Sequence, residues 1–301
     1  MTDKEKDREA AARRVLDTLN AIDVSALRLR ERKQGWLWEL GRVISAKEGF
    51  TPDFFVSDAF RQTCDSFFGS KKENFPALFS LDEKVELSRI LARCAGHGDK
   101  GIPSFLRLSF PENRRVSYLK SAAADTAFRR FSRALPDPSV EYESSFSAVC
   151  ESVYDGTSSF CILPVANSGE GTLGGFRKLI EKYELKLAFS CTVPSPDETE
   201  TEFALCQKAF GAYSLPESNP VRFRFSLPAT ESSDLADVLY ALGRLNAPVG
   251  KIDSVPLPYA ERDFTYDVTA EADHADLSAI YVFLSLCAPR FTPIGLYSVI
   301  K

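Results

Sequence analysis

The stretch Ile162-Leu-Pro-Val-Ala-Asn-Ser-Gly-Glu-Gly171 decides how the middle of this chain is read. It leaves an apolar run over 160–164, turns on small polar residues, and enters an amphipathic stretch over 173–183. Period and turn chemistry make that a strand, a turn and a helix. Outward from it, strands expected at 116–119, 140–143, 160–164, 185–193 and 202–208 alternate with helices at 123–135, 145–154 and 173–183. The alternation predicts an α/β unit with a mostly parallel sheet over 115–210. The same stretch holds Gly169-Glu-Gly171-Thr-Leu-Gly174, which satisfies G-x-G-x-x-G. A dinucleotide site would carry that motif directly behind a strand. Here Ala166-Asn-Ser168 intervenes, so no nucleotide site is read from it.

Upstream, residues 1–95 read as helix only. Val15, Leu16, Leu19, Ile22, Leu27, Leu29, Trp36, Leu37, Leu40 and Ile44 keep a helical period, predicting one long helix that closes at Gly49. A second helix is expected from Thr51, an N-cap before Pro52, to Gly69, and a third over 81–95. A helix of that length cannot bury its apolar stripe alone, so a partner subunit or a packed bundle is implied. Downstream, 221–301 reads strand, helix, strand, strand, helix, strand, at 222–227, 233–245, 251–255, 264–270, 277–286 and 294–300. That βαββαβ order predicts a ferredoxin-like unit, suited to regulation or dimerisation. The segments 96–103 and 211–220 read as linkers. The fold class is therefore α+β multidomain, with an all-α three-helix segment over 1–95, an α/β lobe over 115–210 and a ferredoxin-like unit over 221–301.

Composition narrows the function. The 301 residues carry a formal net charge of −5, from 37 basic and 42 acidic residues. That balance argues against a nucleic-acid surface, which needs clustered Lys and Arg. No apolar run reaches membrane-spanning length, and the charged stretch 1–9 does not resemble a signal peptide. The seven Cys lack C-x-x-C spacing and sit mostly in apolar runs. They read as reduced core cysteines of a cytoplasmic protein. His97 and His274 are the only histidines, so neither a metal site nor a Ser-His-Asp triad is expected. No cofactor is called for.

Three groups of residues carry a family resemblance across nearly the whole chain. Pro164-Val-Ala-Asn-Ser168 with Gly171 resembles the Pro-Ile-Glu-Asn-Ser turn of prephenate dehydratases, and Phe146, Val149, Val153 and Gly156 stand at the family's spacing before that strand. Ser233-Asp-Leu235 and Asp253-Ser-Val-Pro256 stand where the ACT domains of these enzymes carry Gly-Ala-Leu and Glu-Ser-Arg-Pro. Ile22-Asp23, Asp58-x-x-Arg61-Gln62 and Leu87-Ser-Arg89 fall at landmarks of AroQ-type chorismate mutases. The chain thus resembles a fused chorismate mutase–prephenate dehydratase with a C-terminal ACT domain. The resemblance implies a three-helix mutase segment, a dehydratase lobe of periplasmic-binding-protein type and phenylalanine-branch chemistry. It also implies prephenate, chorismate or phenylalanine as the small-molecule ligand, and a homodimer or larger homo-oligomer.

Carried over residue by residue, the resemblance is eroded. Mutase chemistry needs cations around a dianion as charge shifts. Of the family's cations, Lys33 and Arg61 remain, with Asp58, Gln62 and Ser88 beside them as substrate-binding candidates. Leu16, Ile44 and Ala92 replace other functional positions, and Lys for Arg at 33 loses a bidentate fork. Dehydration needs a proton donor at the departing hydroxyl. Thr126, Asn167, Ser168 and Thr201 are the catalytic candidates that the resemblance implies. Yet the family's Glu is Ala166, its Thr-Arg-Phe reads Thr201-Glu202-Phe203, and its glycine-rich first loop reads Lys120-Ser-Ala-Ala-Ala-Asp-Thr126. No sequence separates 185–193 from Thr201 by enough to build the family's second lobe. Ser233, Asp234, Leu235, Asp253 and Ser254 are the allosteric candidates, with Ser233-Asp234 in place of Gly-Ala and Val255 in place of Arg. The expectation is a family protein with weak or lost catalysis; the alternative is a non-catalytic regulatory or interaction paralogue on the same dimeric scaffold.

Overall fold

A computed structural model describes residues 3–45, 79–94, 102–194, 199–215, 219–229, 232–256, 264–288 and 290–301. Among them are seven α-helices and twelve strands. Helix α1 spans Asp3–Ser45, about 65 Å at the usual rise of about 1.5 Å per residue. Its apolar stripe stands open: Leu16, Leu19, Ile22, Leu27 and Trp36 are all more than half exposed. Among its described side chains only those toward the C-terminal end are packed, where Leu37 is buried and Lys33 pairs with Glu83 of α2 (Leu81–Cys94). The helix expected over 51–69, with Asp58, Arg61 and Gln62, lies outside the described residues.

The expected elements of 115–210 form. They are β2 (Arg115–Leu119), α3 (Ala122–Phe131), β3 (Ser139–Glu143), α4 (Phe146–Tyr154), β4 (Phe160–Asn167), the two-residue β5 (Gly171–Thr172), α5 (Gly174–Lys182), β6 (Lys186–Pro194) and β7 (Glu200–Gln207). Ser121 and Ser145 cap α3 and α4, accepting hydrogen bonds from the amides three residues on. The sheet, however, is mixed rather than mostly parallel. Strand β2 runs parallel to β3 and β4, whereas β7 is antiparallel to both β4 and β6. The reason is length: a parallel crossover needs roughly a dozen residues or more, and five residues separate β6 from β7. They can only form a hairpin.

The C-terminal elements are β9 (Val221–Pro228), α6 (Ser232–Arg244), β10 (Val249–Pro256), β11 (Phe264–Glu271), α7 (Leu277–Cys287) and β12 (Thr292–Val299). Their strands lie in the order β10-β11-β9-β12, all antiparallel. Strand β12 then pairs in parallel with β6, so the two regions share one sheet, β10-β11-β9-β12-β6-β7-β4-β2-β3, with β5 on β4. Gly295 makes the seam possible, because a Cβ there would lie 2.6 Å from the Leu187 Cβ. A separate two-stranded parallel ladder joins β1 (Arg107–Leu108), behind a 3-10 turn at Ser104–Leu106, to β8 (Ala212–Tyr213).

Three apolar clusters hold these layers. Phe131, Phe160, Phe189 and Leu205 pack under α3. Val149, Leu163, Ile180 and Leu187 pack under α4 and α5 on the opposite face. Phe223, Phe225, Leu242 and Phe283 pack under α6 and α7, and Val85, Leu87 and Leu91 of α2 join that same cluster. The third helix of the N-terminal segment is thus built into the C-terminal core.

Candidate functional site

The turn read first from the sequence is closed by a set of side-chain and backbone hydrogen bonds. Asn167, the last residue of β4, pairs across the ladder with Thr201 of β7. Its amide Nδ2 donates to the Thr201 hydroxyl at 3.3 Å, and its Oδ1 accepts from the Gly169 amide at 2.8 Å. Ser168 closes the turn against β7 in both directions: its amide donates to the Glu200 carbonyl at 2.8 Å, and its hydroxyl accepts from the Glu200 amide at 2.9 Å. Gly171 sits at φ 75°, in the left-handed region where a side chain is strained. The amides of Ser168, Gly169 and Leu173 are all engaged within the protein. The G-x-G-x-x-G string therefore serves a tight turn and does not present those amides to a phosphate.

Three of the four catalytic candidates, Asn167, Ser168 and Thr201, come together in this way. Thr126 lies on α3, on the same side of the sheet as Asn167 and Thr201. Its hydroxyl donates to the Ala122 carbonyl at 2.8 Å and accepts from Arg129. Strand alternation sends the next residue, Glu202, to the other face. There it stands opposite Ala166 and beside Arg222, Arg224 and Tyr297 around a cavity of about 230 Å³. Glu202 therefore neither joins the Thr201 side nor points into open solvent.

That face also carries the joint between the lobe and the C-terminal strands. Asp267 of β11 is 1% exposed and accepts from Arg177 of α5 at 2.8 Å and 3.4 Å, and from Arg224 of β9 at 3.1 Å. Both arginines are 8% exposed. Asp253 accepts from Thr172 at 2.8 Å and pairs with Lys251 at 2.9 Å, tying β10 to the turn ahead of α5. Tyr297, almost fully buried, has its hydroxyl pushed up to about 12, by burial first and by the charge of Glu202 next, while Arg224 and Arg222 pull it down. Sequence reading missed Arg177, Arg222, Arg224, Asp267 and Tyr297. The available signal was the alternation Arg222-Phe-Arg224-Phe-Ser226, which places charge on one face of a strand whose other face is core.

The remaining candidates are dispersed. Ser88 is fully buried and donates to the Lys84 carbonyl at 2.8 Å. Lys33 is held by Glu83. Ser233 and Asp234 fall in the first turn of α6, Leu235 packs against the C-terminal core, and Ser254 is exposed on β10. Among the described residues no group of three or more His, Cys, Asp or Glu is placed to hold a metal ion, and no helix is long and apolar enough to cross a membrane. The six described cysteines are free thiols.

No protein-family model matches the sequence, and no curated protein matches it. Solved structures do. A prephenate dehydratase from Streptococcus mutans matches with a TM-score of 0.52 and 18% identity, over 63% of this chain and 100% of that one. This chain shares its fold. Two further likenesses are weaker. GqqA, described as a novel type of quorum-quenching acylase, gives a TM-score of 0.49 at 14% identity, over 62% of this chain and 95% of that one. A prephenate dehydratase from Arthrobacter aurescens, solved in complex with L-Phe, gives 0.47 at 12%, over 61% and 90%.

Proposed function

We propose that this chain is a prephenate dehydratase/chorismate mutase family protein of the phenylalanine branch in which catalysis is weak or lost. One observation carries the reading: β6 turns straight into β7 through five residues, while the free edge of β6 is taken by β12. A dehydratase cleft needs a second wall to exclude water, and neither flank of this hairpin leaves chain to build it. The proposed regions are a mutase-like segment over 1–95, a dehydratase-like lobe over 115–210 and an ACT-like unit over 221–301. Prephenate, chorismate or phenylalanine are the proposed ligands, and the cytoplasm the proposed location. Any surviving activity would be a lyase or isomerase step of that branch. Phenylpyruvate release from prephenate, measured with purified protein, tests the reading; turnover at ordinary enzyme rates would overturn it.

The non-catalytic alternative, a regulatory or interaction paralogue, draws on a separate observation. The open stripe of α1, from Val15 to Trp36, calls for a covering partner, and a second copy of the chain is the proposed one. Light scattering behind size-exclusion chromatography would then give a dimer or larger species; a monomer at tens of micromolar would contradict it.

A further inference from the structure

A second cavity lies between α5 and the first residues of β6 and β12, at the end of the sheet away from the Asn167–Thr201 turn. Lys186, on its wall, pairs with Gln207 at one end of the β6–β7 hairpin, whereas Val193 pairs with Thr201 at the other. The cavity measures about 760 Å³, within the range of roughly 300–1,000 Å³ usual for small-molecule sites. Strand register builds its floor. Ser226 of β9 stands opposite Thr292 of β12, so both side chains share the face turned away from the Phe225 core. Ser226 is 6% exposed, and its hydroxyl has no hydrogen-bond partner. The Lys186 ammonium reaches the same place, donating to the carbonyl of Pro293, next to Thr292, at 2.8 Å. Around this floor Arg177, Lys178, Lys182, Lys186, Lys208 and Arg290 face only Glu181 and Glu184, in a chain whose net charge is −5. Arg177 is engaged by Asp267 and Glu181, and Lys182 and Lys208 lie over the rings of Tyr183 and Tyr154. Among the described residues no carboxylate lies within ion-pair range of Lys178, Lys186 or Arg290. Burial pushes the Lys186 pKa below the ordinary lysine value, with Glu184 opposing and Arg177 adding to it; an anion beside the ammonium would offset that cost.

We propose that this cavity binds a small organic phosphate, its phosphoryl group on the Lys186 ammonium and the Ser226 and Thr292 hydroxyls, its apolar body against Ile180, Leu185 and Ile294. The unpaired cations are mostly lysines, point charges without the planar fork that matches a carboxylate. A phosphate dianion offers three acceptor oxygens, enough for an ammonium and two hydroxyls together. Ile180, Leu185 and Ile294, with Pro228 and Val255, give the cavity an apolar side that bare phosphate would leave uncovered. An uncharged apolar molecule would leave Lys186 and the Ser226 hydroxyl unmet. The site is separate from the Asn167–Thr201 turn, so it stands whether or not dehydratase chemistry survives.

Calorimetric titration of the full chain with phenyl phosphate, naphthyl phosphate and hexyl phosphate tests this. Inorganic phosphate represents loss of the body, and phenol, naphthol and hexanol loss of the phosphate; benzoate, naphthoate and heptanoate put a carboxylate in its place. The expected result is that at least one ester binds tenfold or more tightly than inorganic phosphate, its alcohol and its carboxylate. Lys186→Gln should weaken that binding at least tenfold and Ser226→Ala at least threefold. Lys120→Gln, at an exposed lysine just beyond β2, should leave it unchanged. Should Lys186→Gln fail to fold, the double variant Lys178→Gln with Arg290→Gln, both on exposed side chains, carries the test with the same tenfold loss. Absence of binding by all three esters at millimolar concentration would overturn the proposal. So would equal binding by inorganic phosphate, an alcohol or a carboxylate, binding that survives the substitutions, or binding to phosphatidic acid vesicles alone.

Discussion

At the scale of single residues, strand alternation decides more than residue identity. Thr201 and Glu202 are neighbours in sequence but face opposite sides of the sheet, one bonded to Asn167 and the other lining a charged cavity. Glu202→Arg, which would match the Thr-Arg-Phe motif of prephenate dehydratases, is therefore expected to give no gain in phenylpyruvate formation, and a measurable gain in that assay would contradict this placement. Asp267 is the residue on which the joint depends. Removing it as Asp267→Ala takes the shared carboxylate from two buried arginines and leaves Arg177 with Glu181 at 3.3 Å and Arg224 with Asp253 at 3.8 Å; comparable broken pairs cost about 3–5 kcal/mol. Urea unfolding should show a midpoint lowered accordingly, and an unchanged midpoint would dismiss the joint as incidental. The turn residues Asn167, Ser168 and Gly171 were legible in the sequence because their roles are local. The Arg177–Asp267 pair was not, because 90 residues separate its members and nothing local marks them as partners.

Among elements, the helices and strands were largely legible, since each rests on a period and a cap that lie within its own span. Ser121 and Ser145 are such caps, and Ser145→Ala should cost about 1 kcal/mol, read as a lower melting temperature with unchanged helix content at low temperature. Strand direction was not legible from alternation of strands and helices. It followed from the shortness of the β6–β7 connection, which excludes the expected parallel arrangement. The seam between β12 and β6 was hidden for a different reason: it depends on a glycine, Gly295, whose use is visible only when Leu187 is seen against it. Gly295→Ala should cost about 1–3 kcal/mol through overpacking. Chemical denaturation followed by near-ultraviolet dichroism would show it, and full tolerance would mean that the seam has slack.

Across the whole molecule, the sequence divides into three regions more cleanly than the structure does. Helix α2 packs into the C-terminal core, and the strands of the lobe and of the C-terminal region form one sheet joined through β12 and β6. Separate regions in the chain have become one body around the lobe, with α1 as the element left uncovered. On the proposed reading, that consolidation leaves no chain beside β6 and β7 to build a second lobe. The most direct measurement is a steady-state assay of phenylpyruvate formation from prephenate by the purified full chain. The expected rate is at or little above the uncatalysed background. Turnover in the range of about 1–10³ s⁻¹, ordinary for enzymes, would contradict it.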